Sequence, residues 1–245
     1  MRVVAVIASY GRKNILDDAV KCIANQVSDV IIVGSSNAVE GTMLGCQYEK
    51  EFAESHNLIY VDHKNSPLGQ KWQAGLNRAR ELQPDAVLIC GSDDLISDGW
   101  VLDYINCKYV SLKKTVLYGT REWYVYNALT DEMITCNYRT REDVIGAGRI
   151  ISKELLDLLD WQIFPTEGGI GCDLYSYNKM IKHDIYQMTA RYDKILLCVK
   201  AAWHCLDSWQ QLLSAQSLNI SWVHEDEKQR ILNNVFLNVD FGRYK

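Results

Sequence analysis

Apolar positions in the first ninety residues fall into two alternating kinds of pattern. Four runs are continuous over strand length: Arg2 to Ser9 (RVVAVIAS), Val30 to Val33, Leu58 to Val61 and Ala86 to Cys90 (AVLIC). Uninterrupted apolar runs of this length fit strands buried on both faces, as in a largely parallel sheet. Between them the apolar residues return at helical intervals. Asn14 is placed to cap a helix whose stripe is Ile15, Leu16, Ala19, Val20, Ile23 and Ala24. A weaker helix is predicted from Met43 to Ser55. A third follows the loop Asn65-Ser66-Pro67-Leu68-Gly69 and runs to about Leu82, with Trp72, Leu76 and Ala79 toward the core. Strand and helix alternate from the start through Cys90, which predicts an α/β fold with right-handed crossovers and a doubly wound, mainly parallel sheet.

The pattern changes after residue 114. A helix from Trp100 to about Lys113 leads to a strand at Thr115 to Thr120, and then to a hairpin of Trp123 to Asn127 and Met133 to Tyr138 around Thr130-Asp131. Gly146-Ala147-Gly148 precedes a short helix capped by Ser152, with Leu155, Leu156, Leu158 and Leu159 as its apolar side. Gly168 to Gly171 is a loop, and Asp173 opens a helix to about His183. Short strands at Ile185 to Thr189 and Ile195 to Val199 lead to Trp203-His204, and the tail from Trp209 reads as mostly helical. We expect one unit over residues 1–245, with a ligand-binding half (1–114) and a second, mixed half (115–245).

Composition narrows the classes. With 245 residues, 48% of them hydrophobic, the chain can build a sizeable core. A net charge of -5 argues against coating nucleic acid by bulk electrostatics. No apolar run reaches transmembrane length, and a soluble, cytoplasmic protein is expected. The eight cysteines show no C-x-x-C pairing and several sit in apolar runs, which predicts buried free thiols.

Chemistry concentrates where the apolar runs stop. Three of them end in small polar clusters: Ser9-Tyr10-Gly11-Arg12, Gly34-Ser35-Ser36-Asn37 and Gly91-Ser92-Asp93-Asp94. In open α/β sheets, ligands bind beyond the carboxyl ends of the strands. Paired carboxylates at such an end require a cation or hydrogen-bond donors, and hard oxygen ligands suit Mg²⁺ or Mn²⁺. The same two aspartates also fit a turn that opens the next helix.

In order and spacing, these motifs resemble the nucleotide-sugar-dependent glycosyltransferases of the GT-A fold, broadly of family 2, over roughly the first 185 residues. The resemblance implies donor contacts from Ser9, Tyr10, Arg12, Ser35, Asn65, Gly69, Lys71, Ser92 and Asp93. It implies acceptor contacts from Gly146, Ala147, Gly148 and Cys172, and a divalent metal, Mn²⁺ or Mg²⁺, on Asp93 and Asp94 with a late histidine, His204, returning to it. Two departures stand out. Gly34-Ser35-Ser36 replaces an acidic pair at the end of the second strand, and Gly91 replaces the first acid of the Asp-x-Asp motif. Asp173, after a glycine-rich loop, falls where the family carries its catalytic base; the ordinary alternative is a helix cap. The implied activity is metal-dependent transfer of a sugar, with UDP-sugar the favoured donor and inversion the expected outcome. The acceptor is a saccharide, a glycoconjugate or a hydroxylated nucleobase in DNA. Arg139, Arg141 and Arg149 beside Trp123, Tyr124 and Tyr138 are expected to form either a basic acceptor side or a solvated face. The competing readings are a sugar-phosphate nucleotidyltransferase and a sugar-nucleotide or glycan-binding protein without catalysis.

Overall fold

Strand β1 (Val3–Ala8) lies inside a seven-stranded sheet and is buried along its whole length. It pairs in parallel with β2 (Asp29–Gly34) on one side and β4 (Ala86–Gly91) on the other, with Ile7 opposite both Ile32 and Cys90. The edge beyond β2 is β3 (Ile59–Asp62). Successive side chains of β1 point to opposite faces, and helices cover both. Val3, Ala5 and Ile7 meet Leu16, Val20 and Ile23 of α1 (Lys13–Ala24) and Phe52 and Ala53 of α2 (Met43–Ser55). Val4 and Val6 meet Leu76 and Ala79 of α3 (Leu68–Glu81). Each valine or isoleucine buried in this way contributes about 1.5–3 kcal/mol. Gly75 lets α3 lie close, because a Cβ there would run into Val6 and Val33. The computed structural model describes residues 1–35, 43–65, 67–111, 114–167, 172–200 and 206–244.

The expected elements of the first half are present with small shifts. Helix α1 begins at Lys13 with Arg12 as its cap position, so Asn14 sits inside the first turn instead of capping it. The segment after β4 holds a strand that the sequence pattern does not reveal, β5 (Asp94–Ile96). Three residues are too few to show a period. Helix α4 (Trp100–Val110) follows from Gly99, whose φ of 74° is the left-handed region that glycine tolerates.

The chain then returns to the first sheet. Strand β6 (Val116–Gly119) and the antiparallel β9 (Arg149–Ser152) extend it beyond β4, with β10 (Tyr186–Thr189) at the edge. The short helix expected after Ser152 is α5 (Lys153–Leu158), with Ser152 at its N-cap position, and the residues just before it form the strand β9. The apolar residues Ile150 and Ile151 are buried between β4 and β6. Leu155, Leu156 and Leu159 are buried as expected, whereas Leu158 is exposed.

The second sheet has the order β12-β8-β7-β11-β5. The hairpin of β7 (Glu122–Asn127) and β8 (Glu132–Tyr138) is as expected. Strand β11 (Leu196–Lys200) lies between β7 and β5. After α6 (Cys172–Met180) and α7 (Leu206–Leu213), the tail contributes an edge strand, β12 (Leu218–Trp222), and then helix α8 (Glu225–Arg230). No helix among the described residues is long and apolar enough to cross a membrane. Cys22, Cys90, Cys107, Cys136 and Cys198 are free thiols.

Candidate active site

A cleft of about 460 Å³ opens beyond the carboxyl ends of β1 and β4, within the size range of small-molecule sites. One wall holds Ser9, Tyr10 and Arg12 after β1 and Ser92, Asp93 and Asp94 after β4. The opposite wall holds Gly146, Ala147, Arg149 and Asp173. Asn65, Leu68, Lys71, Trp72 and Phe164 close a third side, where the rings of Trp72 and Phe164 stack with centroids 5.9 Å apart.

The turn after β4 is built by hydrogen bonds that fold its acids back onto it. The Gly91 N–H donates to Asp94 Oδ2 at 2.7 Å, and the Cys198 thiol on β11 donates to Asp94 Oδ1 at 2.7 Å. A Cβ on Gly91 would lie 2.6 Å from Asp94 Oδ2, so glycine at the first position of the acidic motif follows from the turn itself. Burial, then the charge on Asp93, pushes the Asp94 carboxyl up to about 6. Asp93 goes the other way. Burial works against its charge, but Lys200 and Arg12 outweigh burial and hold it well below the usual carboxylate range. Arg12 pairs with Asp93 Oδ1, and Lys200 Nζ lies 2.8 Å from Oδ2. The pairing of β5 with β11 sets this up: Cys198 stands opposite Asp94, and the Val199 N–H donates to the Asp93 carbonyl at 2.8 Å.

Beneath this wall lies a buried hydrogen-bond network built around one lysine and one glutamate. Lys71 is 1% exposed and donates to the Ser9 carbonyl, to Ser35 Oγ at 2.9 Å and to Asn65 Oδ1 at 3.2 Å. It does not snorkel to solvent; while lining the cleft, it ties the ends of β1 and β2 to the loop before α3. The matching acid is Glu49 on α2, fully buried. Its Oε1 accepts from Ser9 Oγ at 2.7 Å and from the Gly11 N–H at 2.9 Å, and its Oε2 accepts from the Ser35 N–H at 3.4 Å. Burial raises the Glu49 pKa more than the hydrogen bond from Ser9 and the charge of Lys71 lower it. Glu49 thus brings a carboxylate to the end of β2, where the sequence places Gly34 and Ser35 instead of acids. A Cβ on Gly34 would lie 2.7 Å from Glu49 Oε2. One glutamate on an amphipathic helix gives no sequence signal for this role.

Across the cleft, Asp173 stands in the first turn of α6 and faces Gly146 so closely that a Cβ there would collide with its carboxylate. Arg149 is fully buried beside it. Its guanidinium donates to Ser176 Oγ at 2.9 Å and to the Val144 carbonyl at 2.6 Å. Burial lowers the Arg149 pKa against the opposing charge of Asp173. Arg149 Nε and Ser92 Oγ are buried with no hydrogen-bond partner among the described residues, and both residues line the cleft. The three arginines expected as one basic or solvated face do separate jobs. Arg149 is buried, Arg141 pairs with the buried Asp143 while lying over the Tyr138 ring, and Arg139 donates to Asn219 and to the Leu218 carbonyl.

Of the expected donor residues, Ser9, Tyr10, Arg12, Asn65, Lys71, Ser92 and Asp93 line the cleft. Ser35 and Gly69 lie outside its lining: Ser35 is buried against Lys71 and Glu49, and Gly69 packs against Pro165. Gly146, Ala147 and Asp173 are on the opposite wall. Gly148 instead adopts a φ of 68° beneath Trp100, and Cys172 is a buried core thiol. His204 and the loop 168–171 lie outside the described residues.

The carboxylates do not fit a divalent cation as they are engaged. Both oxygens of Asp93 face cationic side chains, and both oxygens of Asp94 accept from donors within the turn and β11. A Mg²⁺-like ion needs a near-octahedral set of oxygen ligands. No group of three or more His, Cys, Asp or Glu side chains among the described residues is arranged to hold a metal.

Neither a family model nor a curated protein matches this sequence. Solved structures do match in fold. S. aureus TarS 1–349 superposes with a TM-score of 0.55 at 16% identity, covering 98% of this chain and 72% of its own. The same protein in complex with UDP-GlcNAc matches with a TM-score of 0.55, and in complex with UDP likewise at 17% identity, covering 97% of this chain and 71% of its own. The inositol-1-phosphate CTP transferase from T. maritima matches with a TM-score of 0.50 at 12% identity, covering 87% of this chain and 95% of its own. The chain therefore has a mixed α/β, GT-A-like fold with a mostly parallel first sheet.

Proposed function

We propose that the protein is a glycosyltransferase that moves a sugar from a nucleotide-sugar donor, with a UDP-sugar favoured, to a hydroxyl acceptor. The observation that carries this reading is the cleft itself, which sets Arg12 and Asp93 on one wall and Asp173 on the other. Complexes of the similarly folded TarS with UDP-GlcNAc and UDP support the choice of donor. Binding on the β1 and β4 wall places the diphosphate near Arg12, while the stacked Trp72 and Phe164 offer apolar faces to a base or a sugar ring. Asp173 acts as the base. The acceptor oxygen attacks the anomeric carbon and its proton passes to the Asp173 carboxylate. The bond from that carbon to the diphosphate oxygen breaks, and its electron pair leaves on the diphosphate. An in-line attack of this kind inverts the anomeric centre. Positioning and proton removal together supply the rate enhancement. The acceptor is a saccharide, a glycoconjugate or a hydroxylated nucleobase, of which a base in DNA would have to be exposed from its stack.

Binding and hydrolysis of UDP-, GDP-, CMP- and TDP-sugars test the reading. Release of one nucleotide supports it; a folded protein that neither binds nor turns over any of them refutes it. The fold match to the inositol-1-phosphate CTP transferase favours one second reading, nucleotidyl transfer to a sugar phosphate. That activity would appear as pyrophosphate release from a nucleoside triphosphate in the presence of a sugar phosphate.

A further inference from the structure

In a reaction that releases a diphosphate, one negative charge develops on the leaving group, and something positive must meet it. The metal expected for that task does not fit the two aspartates. Two fixed cations stand at Asp93 instead. Arg12 lines the cleft and pairs with one carboxylate oxygen, and Lys200 holds the other at 2.8 Å. Asp93 is thus one anion held between two cations. Asp94, which would otherwise reinforce a metal site, is turned toward the Gly91 N–H and the Cys198 thiol. An incoming divalent cation would meet two like charges within contact distance of its intended ligand, and like charges at that range repel strongly in a buried site.

We propose that the Arg12–Asp93–Lys200 cluster takes the place of a divalent cation, so that the donor diphosphate is bound and neutralised by side chains alone. The proposal rests on the reading of the cleft as a nucleotide-sugar site. Asp93 is then a positioning residue that holds the two cations together, with Lys200 fixed behind it by β11 and Arg12 presented to the ligand from the cap position of α1. Arginine suits that role, because its planar guanidinium matches phosphate oxygens in a way a point charge does not.

Titration calorimetry with UDP and with GDP, each in excess EDTA and again with Mn²⁺ or Mg²⁺, is the decisive experiment. For wild-type protein the expected result is an affinity that changes by less than about twofold between EDTA and metal, well under the tenfold that corresponds to 1.4 kcal/mol. Lys200→Met should weaken the nucleotide by about tenfold or more, as expected for loss of a charge-assisted contact network. Lys200→Arg should retain most of the affinity, which separates loss of charge from loss of folding. Nucleotide binding that collapses in EDTA and returns with Mn²⁺ overturns the proposal while leaving the donor site intact. Folded wild-type protein that binds neither of these, nor CMP or TDP, under any condition overturns both the proposal and the function on which it rests.

Discussion

Glu49 Oε1 accepts a hydrogen bond from Ser9 Oγ at 2.7 Å, joining a helix of the first half to the end of the central strand across forty positions of sequence. The same carboxylate also holds the Gly11 and Ser35 backbone N–H groups and faces the charge of the buried Lys71. Removing one member of a buried charged network costs about 3–5 kcal/mol, because the groups left behind stay desolvated. Glu49→Ala should therefore lower the melting temperature substantially in a thermal scan. Glu49→Gln, which keeps an acceptor for Ser9, should cost about 1–2 kcal/mol. Equal melting temperatures for wild type and Glu49→Ala would show that the network contributes nothing to stability.

Asp173→Asn separates chemistry from binding. The asparagine keeps the shape of the side chain but cannot take a proton from an acceptor hydroxyl. Loss of a general base lowers turnover by about 10²–10⁴-fold. UDP affinity should hold, since Asp173 stands across the cleft from Arg12 and Asp93. Undiminished transfer in steady-state kinetics would remove Asp173 from the mechanism.

Two glycines allow a paired comparison. At Gly146 an added methyl runs into the Asp173 carboxylate; at Gly75 it runs into Val6 and Val33 in the core. Gly146→Ala should lower turnover with little change in melting temperature, because Asp173 can swing aside at the cost of its alignment. Gly75→Ala should lower the melting temperature by overpacking, which costs about 1–3 kcal/mol. Reversed effects would show that the close approach at Gly146 is a packing contact.

Asp94 predicts a pH signature in stability. Its carboxyl is pushed from an ordinary 3.8 up to about 6, so the fold favours the protonated form. The stabilisation from that proton is complete below about pH 4 and is lost as pH rises through 6, a change of about 2–3 kcal/mol by linkage. Asp93, held low, works in the opposite sense: its contribution is present above its ordinary value and is lost as pH falls below it. Urea unfolding between pH 4 and 7 should therefore show wild-type stability falling relative to Asp94→Asn, whose amide does not titrate. Parallel curves for the two proteins would contradict the assignment.

Most of the first half was legible because its signals are local. The runs of β1, β2 and β4 are long enough to show that both faces are buried, and polar clusters at their ends mark the ligand edge. The same logic marks Asp93, the family resemblance marks Asp173, and the fold places both in one cleft. What stayed hidden depends on long-range pairing. Lys200 ends the run ILLCVK as an unremarkable strand terminus, and only the antiparallel register of β11 on β5 sets it beside Asp93. Arg149 reads as a surface charge until β9 is inserted between β4 and β6, which buries it. Gly34 and Gly91 looked like lost acids. Each is instead a place where another carboxylate, Glu49 or Asp94, occupies the space that a side chain would need.

The chain leaves the first sheet at Gly91 and enters the second at Asp94, with only Ser92 and Asp93 between. The second half in turn lends β6, β9 and β10 to the first sheet. The boundary near residue 114 is therefore a change in sequence texture and not a seam at which the molecule comes apart. Grafting residues 1–114 onto a foreign partner would strip Asp93 of Lys200 and leave β4 without its neighbour β9. New specificity in such a protein has to arise by exchanging side chains around the cleft, residue by residue, because no module can be traded intact.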